Sequence, residues 1–299
     1  MQDIYRIDKT RARTSFGRAA QTYDAAAILQ KQVREEMLSR LDFVNMQPQF
    51  ILDAGCGTGA ASLALQHKFK HAQVVSLDFA LPMLQKTKQN LGDLGLINAL
   101  KNFFSPKAQH LLCADIEHLP LAEKTFGLIW SNLSIQWCND LDQAFQEFYR
   151  VLQPEGLLMF STFGPDTLKE LRAATSTENH TSVNRFIDMH DIGDALVRAG
   201  FSAPVLDVER FTLTYDDVKS VMKDLKNIGA HNATEGRARG LHGRGFLAEL
   251  AEKYEQFRQQ DGKLPATFEV VYGHAWRGSE KPKTTDGVSP VTFKPRNKS

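Results

Sequence analysis

Between residues 49 and 163, short apolar runs alternate with stretches that mix polar and apolar residues. Runs of this length are typical of buried strands, and the stretches between them have the spacing of amphipathic helices. Strands that alternate with helices predict a parallel sheet with helices on both faces. The runs predict strands at 50–52, 73–78, 109–114, 126–131 and 157–160. We therefore expect an α/β fold for this part of the chain.

The pattern changes on either side of this core. A basic, helical stretch precedes it, and the regular alternation ends at the turn Gly164-Pro165. Strand-like stretches at 205–215 and 268–276 predict a closing antiparallel pair, and the helical stretch between them is too long for a hairpin loop. In chain order we predict an N-terminal helical cap (1–48), a ligand-binding core (49–163), a lid or substrate segment (164–190), a continuation of the core (191–215), a helical insert (216–266), a last strand (267–277) and a disordered tail (278–299).

Composition and charge narrow the functional classes. The chain has 299 residues, 42% of them hydrophobic, a formal net charge of +1 and three cysteines. A near-neutral chain lacks the basic surface that nucleic-acid binding requires, and three scattered cysteines predict neither a disulfide framework nor a zinc site. The first residues lack the apolar stretch of a signal peptide, and no apolar run has the length of a membrane span. We expect a cytoplasmic protein without metal, nucleic-acid or membrane partners.

The first predicted strand leads into a glycine-rich turn, and residues 51–59 read ILDAGCGTG. Asp53 ends the strand, while Gly55, Gly57 and Gly59 leave the turn without side chains, so that a ligand can approach the backbone beside the next helix. A dinucleotide-binding fingerprint has a different glycine spacing, G-x-G-x-x-G. The stretch resembles motif I of the class I S-adenosylmethionine methyltransferases. This resemblance implies that the turn receives the methionine part of that cofactor.

The second predicted strand also ends in an acid, Asp78. In an open α/β sheet, ligands bind beyond the carboxyl ends of the strands. An acid at this point can bind the two hydroxyl groups of a ribose, and the following Phe79 and Met83 can flank an adenine ring.

Polar groups follow the third and fourth predicted strands as well. Asp115-Ile116 comes after the third strand, where a carboxylate can reach the adenine amino group, and Asn132-Leu133 comes after the fourth. An isolated acid in such a place is more often a helix cap or a solvated loop residue. Because four strands each bring a polar group to the same edge of the sheet, we predict a cofactor site.

Three longer segments resemble one particular family. Residues 15–24 read SFGRAAQTYD, residues 131–138 read SNLSIQWC and residues 163–172 read FGPDTLKELR. Over roughly residues 13–277, the chain resembles the malonyl-acyl carrier protein O-methyltransferases of biotin synthesis, the BioC type. The resemblance implies a Rossmann-like class I methyltransferase fold with a mostly parallel, seven-stranded sheet. It also implies that S-adenosylmethionine methylates the free carboxyl group of a malonyl thioester, which yields S-adenosylhomocysteine and a methyl ester that fatty-acid synthesis elongates toward pimelate.

Four residues of these segments suit that reaction. Tyr23 lies in a helix that can fold over the cofactor, and its hydroxyl can hold the cofactor or a carboxylate. Gln136 and Trp137 follow the fourth strand, near the expected position of the methyl group, although core packing explains Trp137 equally well. Arg172 can bind a carboxylate through two parallel N–H groups, or it lies on a solvated helix face.

The helical insert is rich in basic residues. Because acyl carrier proteins are acidic, we expect the malonyl carrier, or malonyl-coenzyme A, to bind here, although runs of charge are most often solvated surface. Docking of this kind should weaken as the salt concentration rises. The expected docking residues are Lys219, Lys223, Lys226, Arg237, Arg239 and Arg244.

Other functions are compatible with the same scaffold. Some relatives with the pattern of residues 166–172 hydroxylate a protein arginine, and other class I methyltransferases act on small acids or quinones. A protein that binds S-adenosylmethionine without turnover is a further alternative. Gln136-Trp137 and the basic insert favour an enzyme that acts on a carrier-bound acid.

Overall fold

The computed structural model describes residues 6–99, 110–175, 183–228, 233–235 and 244–279 of the chain. Its strands are β1 (Phe50–Ala54), β2 (Gln73–Asp78), β3 (His110–Cys113), β4 (Phe126–Asn132), β5 (Leu152–Phe163), β6 (Ser202–Tyr215) and β7 (Leu264–Trp276). Its helices are α1 (Lys9–Ala19), α2 (Tyr23–Ala26), α3 (Ile28–Leu41), α4 (Ala60–Lys68), α5 (Leu81–Ala99), α6 (Leu141–Val151), α7 (Lys169–Thr175), α8 (Met189–Arg198), α9 (Val218–Asn227) and α10 (Arg244–Tyr254). Short 3-10 helices lie at Ile135–Trp137 and Glu255–Phe257.

The described strands form one seven-stranded sheet in the order β3-β2-β1-β4-β5-β7-β6. The pairs β3-β2, β2-β1, β1-β4 and β4-β5 are parallel, whereas β7 runs antiparallel to both of its neighbours. The order of β1, β2 and β4 reverses direction at β1, which is where ligands bind in doubly wound sheets. The expected Rossmann-like fold with a mostly parallel sheet is confirmed.

Apolar side chains alternate between the two faces of the sheet. In β4, Leu128 and Trp130 pack in one layer with α3, α4 and α9, while Ile129 packs in the other with α6 and α8. Helix α6 has the matching pattern, because Phe145 and Phe148 are three residues apart and both are fully buried in the second layer. Helices therefore cover both faces, and the carboxyl ends of the parallel strands are left at one open edge.

β5 and β7 extend furthest beyond the strands that the sequence predicted. β5 begins at Leu152 and includes Pro154-Glu155-Gly156, which resembles a turn in sequence and contains Glu155 with a positive φ of 62°. β7 begins at Leu264 because it pairs along its length with β6, as far as the partners Tyr215 and Leu264. Both extensions depend on pairing with a neighbouring strand, which a local pattern does not contain.

Several expectations fall outside the described residues, namely the lid near Asn179, the docking residues Arg237 and Arg239, and residues 280–299 of the tail. In the part of the chain that the structure describes, no helix combines the length and apolar character needed to cross a membrane. The same residues contain no group of three or more His, Cys, Asp or Glu side chains arranged to hold a metal ion.

Candidate functional site

A cavity opens at the carboxyl ends of β1, β2 and β4. It encloses about 610 Å³ of empty space, a figure that includes space open to solvent. Its walls bring together most of the expected cofactor residues, namely Tyr23, Gly55, Gly57, Asp78, Phe79, Met83, Asp115, Ile116, Asn132 and Leu133. Asp53 lies outside the wall, and Trp137 forms part of it.

The glycine turn after β1 is held against β2. The N–H of Gly55 donates to the carbonyl oxygen of Leu77 at 2.8 Å, and the N–H of Gly57 donates to Asp78 Oδ2 at 3.0 Å. Gly55 has a φ of 80°, and a Cβ atom there would lie 2.3 Å from the Cβ of Ser134. Only glycine permits this close approach of Gly55 to Ser134. Gly57, two residues later, lies in the cavity wall.

Asp78 ends β2 with its carboxylate inside the wall. Its Oδ1 accepts a hydrogen bond from the N–H of Ala80 at 2.8 Å, in addition to the bond from Gly57. Burial raises the pKa of Asp78 to about 6, although these N–H groups lower it. The carboxylate is therefore mostly ionised at neutral pH, and its remaining lone pairs can accept two ribose hydroxyls. Phe79 and Met83 follow it in the wall.

Asp53 is a buried acid at the end of β1, with 1% of its surface exposed. Its Oδ2 accepts a hydrogen bond from Ser62 at 2.5 Å, and Ser62 in turn bonds to Ser76 at 2.7 Å. Its Oδ1 has no hydrogen-bond partner among the described residues. Burial raises the pKa of Asp53 to about 7, against the effect of the Ser62 hydrogen bond. A buried oxygen without a donor is costly, so this atom is suited to a donor from a ligand or a water molecule.

The end of β3 is tied to the N-terminal helix. Asp115 Oδ2 accepts a hydrogen bond from Lys9 Nζ at 2.6 Å, and Lys9 also pairs with Glu117. Asp115 Oδ1 accepts a hydrogen bond from the N–H of Glu117 at 3.1 Å. Both oxygens therefore have partners, and Asp115 can bind an adenine amino group only through its other lone pairs.

The end of β4 is held in shape by polar side chains. Ser161 Oγ donates to Asn132 Oδ1 at 2.9 Å, and the N–H of Leu133, whose φ is 49°, donates to the carbonyl oxygen of Ser161 at 3.1 Å. Gln136 Nε2 donates to the carbonyl oxygen of Leu133 at 2.7 Å, and Gln136 Oε1 accepts from Thr162 Oγ1 at 3.3 Å. Gln136 lies outside the cavity wall and supports the turn that places Leu133 in it.

An aromatic cluster closes one side of the cavity. The ring of Phe16, on α1, lies edge-on to Trp137 with centroids 5.0 Å apart and to Phe79 with centroids 5.9 Å apart. All three rings belong to the wall. Phe16 was missing from the expected site, although Ala12, Phe16 and Ala19 form an apolar stripe at helical spacing that signals a packed face.

Tyr23, at the start of α2, faces the glycine turn. A Cβ atom on Gly57 would lie 3.9 Å from Tyr23 Cε1. Burial and the charges of Asp78 and Asp24 raise the pKa of the Tyr23 hydroxyl well above its ordinary value. Among the described residues, none forms a hydrogen bond with this hydroxyl, so it is a neutral donor available to a ligand.

Arg172, on α7, lies outside the cavity wall. Its two terminal nitrogens donate to the carbonyl oxygens of Pro165, at 2.8 Å, and Thr167, at 3.0 Å. These bonds hold the turn between β5 and α7. A role of Arg172 in binding the substrate carboxylate stays a prediction.

Further wall residues were absent from the expected site, and two of them, Lys9 and Cys138, carry titratable groups. Lys9 closes the side of the cavity at the end of β3 through its pairs with Asp115 and Glu117, which are more than a hundred residues away in sequence, so no local signal marks it. Cys138 also belongs to the wall, and burial raises the pKa of its thiol to about 12. This thiol is therefore neutral at physiological pH and is a poor nucleophile.

Helix α9 carries part of the expected docking surface. Val218 and Val221 face the core, while the opposite side of the helix is exposed at spacings of three and four residues. The exposed positions are Lys219, Met222, Lys223 and Lys226, which we call the α9 stripe. Thr22 Oγ1 donates to the carbonyl oxygen of Asn227 at 3.2 Å, so the end of α9 lies beside the residue that precedes Tyr23. The side chain of Arg244 is outside the described part of the chain.

The wall residues fit S-adenosylmethionine. Phe79, Met83 and Ile116 offer apolar surface for adenine, and the ionised Asp78 can accept ribose hydroxyls. The open backbone at Gly57 leaves room for the amino-acid part, and the unpaired Asp53 Oδ1 is suited to a donor nearby. The wall therefore offers apolar, acidic and backbone groups of the kinds that this cofactor can contact.

Comparisons with known proteins agree with this interpretation. A family model described as a methyltransferase domain matches residues 52–160. A malonyl-[acyl-carrier protein] O-methyltransferase of Methylovorus sp. (strain MP688) is 63% identical to this chain, over 98% of it and 97% of the relative. A protein of the same name from Laribacter hongkongensis (strain HLHK9) is 51% identical, over 99% of both chains.

Solved structures share the fold at low sequence identity. The YcgJ protein of Bacillus subtilis has a TM-score of 0.56 and 13% identity, over 82% of this chain and 99% of that one. The [4+2]-cyclase SpnF has a TM-score of 0.52 and 18% identity, over 83% of this chain and 82% of that one. Since one of these neighbours is named for a cyclisation, the fold alone does not select the reaction.

Proposed function

Because this chain belongs to the malonyl-[acyl-carrier protein] O-methyltransferase family, we propose that it methylates the free carboxyl group of a carrier-bound malonyl thioester. S-adenosylmethionine is the cofactor of this methyltransferase fold and family. The observation that supports the proposal most is the cavity, which joins a cofactor-like wall around Asp78 to an apolar wall around Trp137.

The protein mainly has to hold the two reactants in position and exclude water from them. When bound, S-adenosylmethionine supplies an electrophilic methyl group on a positively charged sulfur. The methyl carbon would bond to a malonyl carboxylate oxygen as its bond to sulfur broke, and the sulfur would keep the electron pair. Opposite charges cancel and no proton moves, so a general base is unnecessary for a carboxylate that is already ionised.

The aromatic cluster suits this neutralisation of charge. A carboxylate and a sulfonium lose their charges on reaction, so weak solvation favours the transition state over the separated ions. Phe16, Phe79 and Trp137 form an apolar wall on one side of the cavity. Fixing the two reactants in line there can contribute several kcal/mol, up to about 10 kcal/mol.

Neutral donors are the better partners for the reacting carboxylate. An arginine that gripped both oxygens would stabilise the anion and weaken it as a nucleophile. Tyr23 and Trp137 belong to the cavity wall, and each has an uncharged donor, a hydroxyl in Tyr23 and an indole N–H in Trp137. We assign them to the substrate carboxylate, with Gln136 as support for the β4 turn. The role of Arg172 as a substrate partner is the weaker alternative, given its bonds to Pro165 and Thr167.

The carrier protein is proposed to bind the α9 stripe. Three lysines with an exposed methionine between them offer positive charge around a small apolar contact, which complements an acidic protein surface. The Thr22–Asn227 hydrogen bond puts the end of this helix beside α2, which borders the cavity. A thioester arm from a carrier on α9 would therefore enter next to Tyr23.

The experiment is to incubate the full chain with S-adenosylmethionine and malonyl-acyl carrier protein and to follow the mass of the carrier. We expect the carrier to gain one methyl group. The triple variant Lys219→Gln, Lys223→Gln, Lys226→Gln should raise KM for the carrier roughly tenfold at low salt, leave kcat unchanged and leave KM for malonyl-coenzyme A unchanged.

The matched control is Lys88→Gln, which removes one exposed lysine of α5 and should leave both KM values unchanged. Methyl transfer to a small acid or a quinone, with none to malonyl carriers, would rule out the proposed substrate. If the triple variant raised KM equally for malonyl-acyl carrier protein and for malonyl-coenzyme A, the α9 stripe would be ruled out as the carrier site.

A further inference from the structure

Helix α2 carries Tyr23 to the cavity with little support of its own. It has four residues, none of them buried, and its N-cap residue Thr22 forms no side-chain capping bond. A helix of one turn is not stable by itself in water. The position of Tyr23 therefore depends on bonds between α2 and the rest of the protein.

Besides the Thr22–Asn227 hydrogen bond, two of those bonds are made by Asp24. Thr58 Oγ1 donates to Asp24 Oδ1 at 2.5 Å, and Asn90 Nδ2 reaches Asp24 Oδ2 at 3.3 Å. Asn90 Nδ2 also donates to the carbonyl oxygen of Thr58 at 2.9 Å, so the three residues form one network. Thr58 is 3% exposed and directly follows Gly57. The network thus joins the helix that bears Tyr23 to the turn that Tyr23 covers.

We propose that Asp24 is a positioning residue, which holds Tyr23 against the glycine turn through its hydrogen bond with Thr58 and thereby sets the affinity for the cofactor. We call the Asp24, Thr58 and Asn90 network the α2 latch. Tyr23 lies in the cavity wall, whereas the neighbouring Asp24 bonds to Thr58 of the turn. The inference adds to the proposed function an explanation of how the N-terminal cap is fixed over the site.

The latch has a consequence for exchange of the cofactor. Because the ring of Tyr23 lies against Gly57, α2 covers the part of the cavity where the amino-acid part of the cofactor fits. The hydrogen bonds of the latch, which is partly exposed, must break when α2 moves away from the turn. Loss of the latch should therefore speed the release of S-adenosylhomocysteine more than it slows binding.

The test measures binding of S-adenosylhomocysteine to the full chain by calorimetry, and so it does not depend on the methyl acceptor. Asp24→Ala and Thr58→Val should each weaken binding about fivefold to tenfold, since Asp24→Ala removes both hydrogen bonds to the Asp24 carboxylate and Thr58→Val removes the one from Thr58 Oγ1. Thr58→Ser keeps the hydroxyl donor and should restore most of the affinity. Thermal melting verifies that every variant is folded.

A double-mutant cycle separates positioning from a general structural role. In a Tyr23→Ala background there is no side chain left to position, so Asp24→Ala should then change the affinity by less than twofold. An equal loss with and without the Tyr23 side chain would overturn the proposal, as would unchanged affinity in Asp24→Ala or Thr58→Val. If the proposed substrate is wrong, malonyl carriers gain no methyl group, but this binding cycle gives the same result.

Discussion

Asp78 brings a buried carboxylate into the wall of the cavity. Two backbone N–H groups, from Gly57 and Ala80, bind its oxygens, but burial still raises its pKa to about 6. Both N–H groups come from the glycine turn and the start of the next helix, so the same bonds shape the turn and orient the acid. The protonation state of Asp78 is therefore tied to the geometry of the glycine turn.

The first prediction concerns the pH dependence of cofactor binding. The ionised carboxylate accepts ribose hydroxyls, whereas the protonated acid loses acceptor capacity, so affinity should be constant well above pH 6 and fall below it. The fall approaches tenfold per pH unit for a single group. Calorimetry with S-adenosylhomocysteine between pH 5 and pH 8 measures it.

Asp78→Asn is the control, and it should bind weakly at every pH with a flatter profile. Asp53, whose pKa burial raises to about 7, titrates in a neighbouring range, and Asp53→Asn separates the two contributions. Affinity that does not change between pH 5 and pH 8 in the unmodified chain would contradict a role of ionised Asp78.

At the scale of elements, residues 164–172 act as a brace between β5, α7 and β7. Arg172 donates to two carbonyl oxygens of the turn, and the buried Glu170 accepts hydrogen bonds from the N–H and the hydroxyl of Thr267 on β7. Glu269, also on β7, accepts the N–H of Asp166 at 2.9 Å. Residues 164–172 belong to one of the segments that carry the family resemblance, but the hydrogen bonds of Arg172 go to backbone carbonyl oxygens.

The second prediction separates the two roles of Arg172. As a brace, Arg172→Ala should lower the free energy of unfolding by about 1–3 kcal/mol, because two carbonyl oxygens lose a charged donor. KM for the malonyl substrate should change little at a temperature where the variant is folded. Denaturant unfolding and steady-state kinetics measure the two effects, and Arg172→Lys should recover part of the stability.

The contrary result would be a KM increase of more than about tenfold for the malonyl substrate with unchanged stability. That outcome would favour Arg172 as the partner of the substrate carboxylate and would make its bonds to Pro165 and Thr167 secondary.

The elements explain how much of the site the sequence could reveal. The sequence could predict that Asp78 and Asn132 line the cavity, because the carboxyl ends of parallel strands meet at one edge of the sheet. The residue that follows each predicted strand can therefore be assigned to this edge without knowing how the side chains pack. Lys9 could not be predicted, since its partner Asp115 is 106 residues away. The partners of Arg172 were also hidden, because a guanidinium that binds nearby carbonyls has the same sequence pattern as one that binds a ligand.

At the scale of the whole molecule, the start of the chain joins the insert to the core. The N–H of Asp8 donates to the carbonyl oxygen of Ala233 at 2.7 Å, and Ile7 forms an isolated antiparallel bridge with Thr234. On its other side, Ile7 exchanges two hydrogen bonds with the Asn139 side chain, at 2.7 and 3.0 Å. Residues 6–8 therefore lie between the insert and the loop that follows Trp137, directly before the helix that carries Lys9 and Phe16.

The last prediction follows from this placement, because a segment bonded to both parts should couple them. Asn139→Ala removes both side-chain bonds to Ile7 and should speed amide hydrogen exchange about tenfold, both in residues 6–19 and in residues 233–235, while β1 and β4 stay protected. By linkage, S-adenosylhomocysteine should protect both segments in the unmodified chain and protect them less in the variant. Asn139→Asp keeps the acceptor for the Ile7 N–H, so its exchange rates should lie between those of the unmodified chain and those of Asn139→Ala. If residues 6–19 exchange faster while residues 233–235 keep their protection, the insert is independent of the N-terminal cap and the coupling is absent.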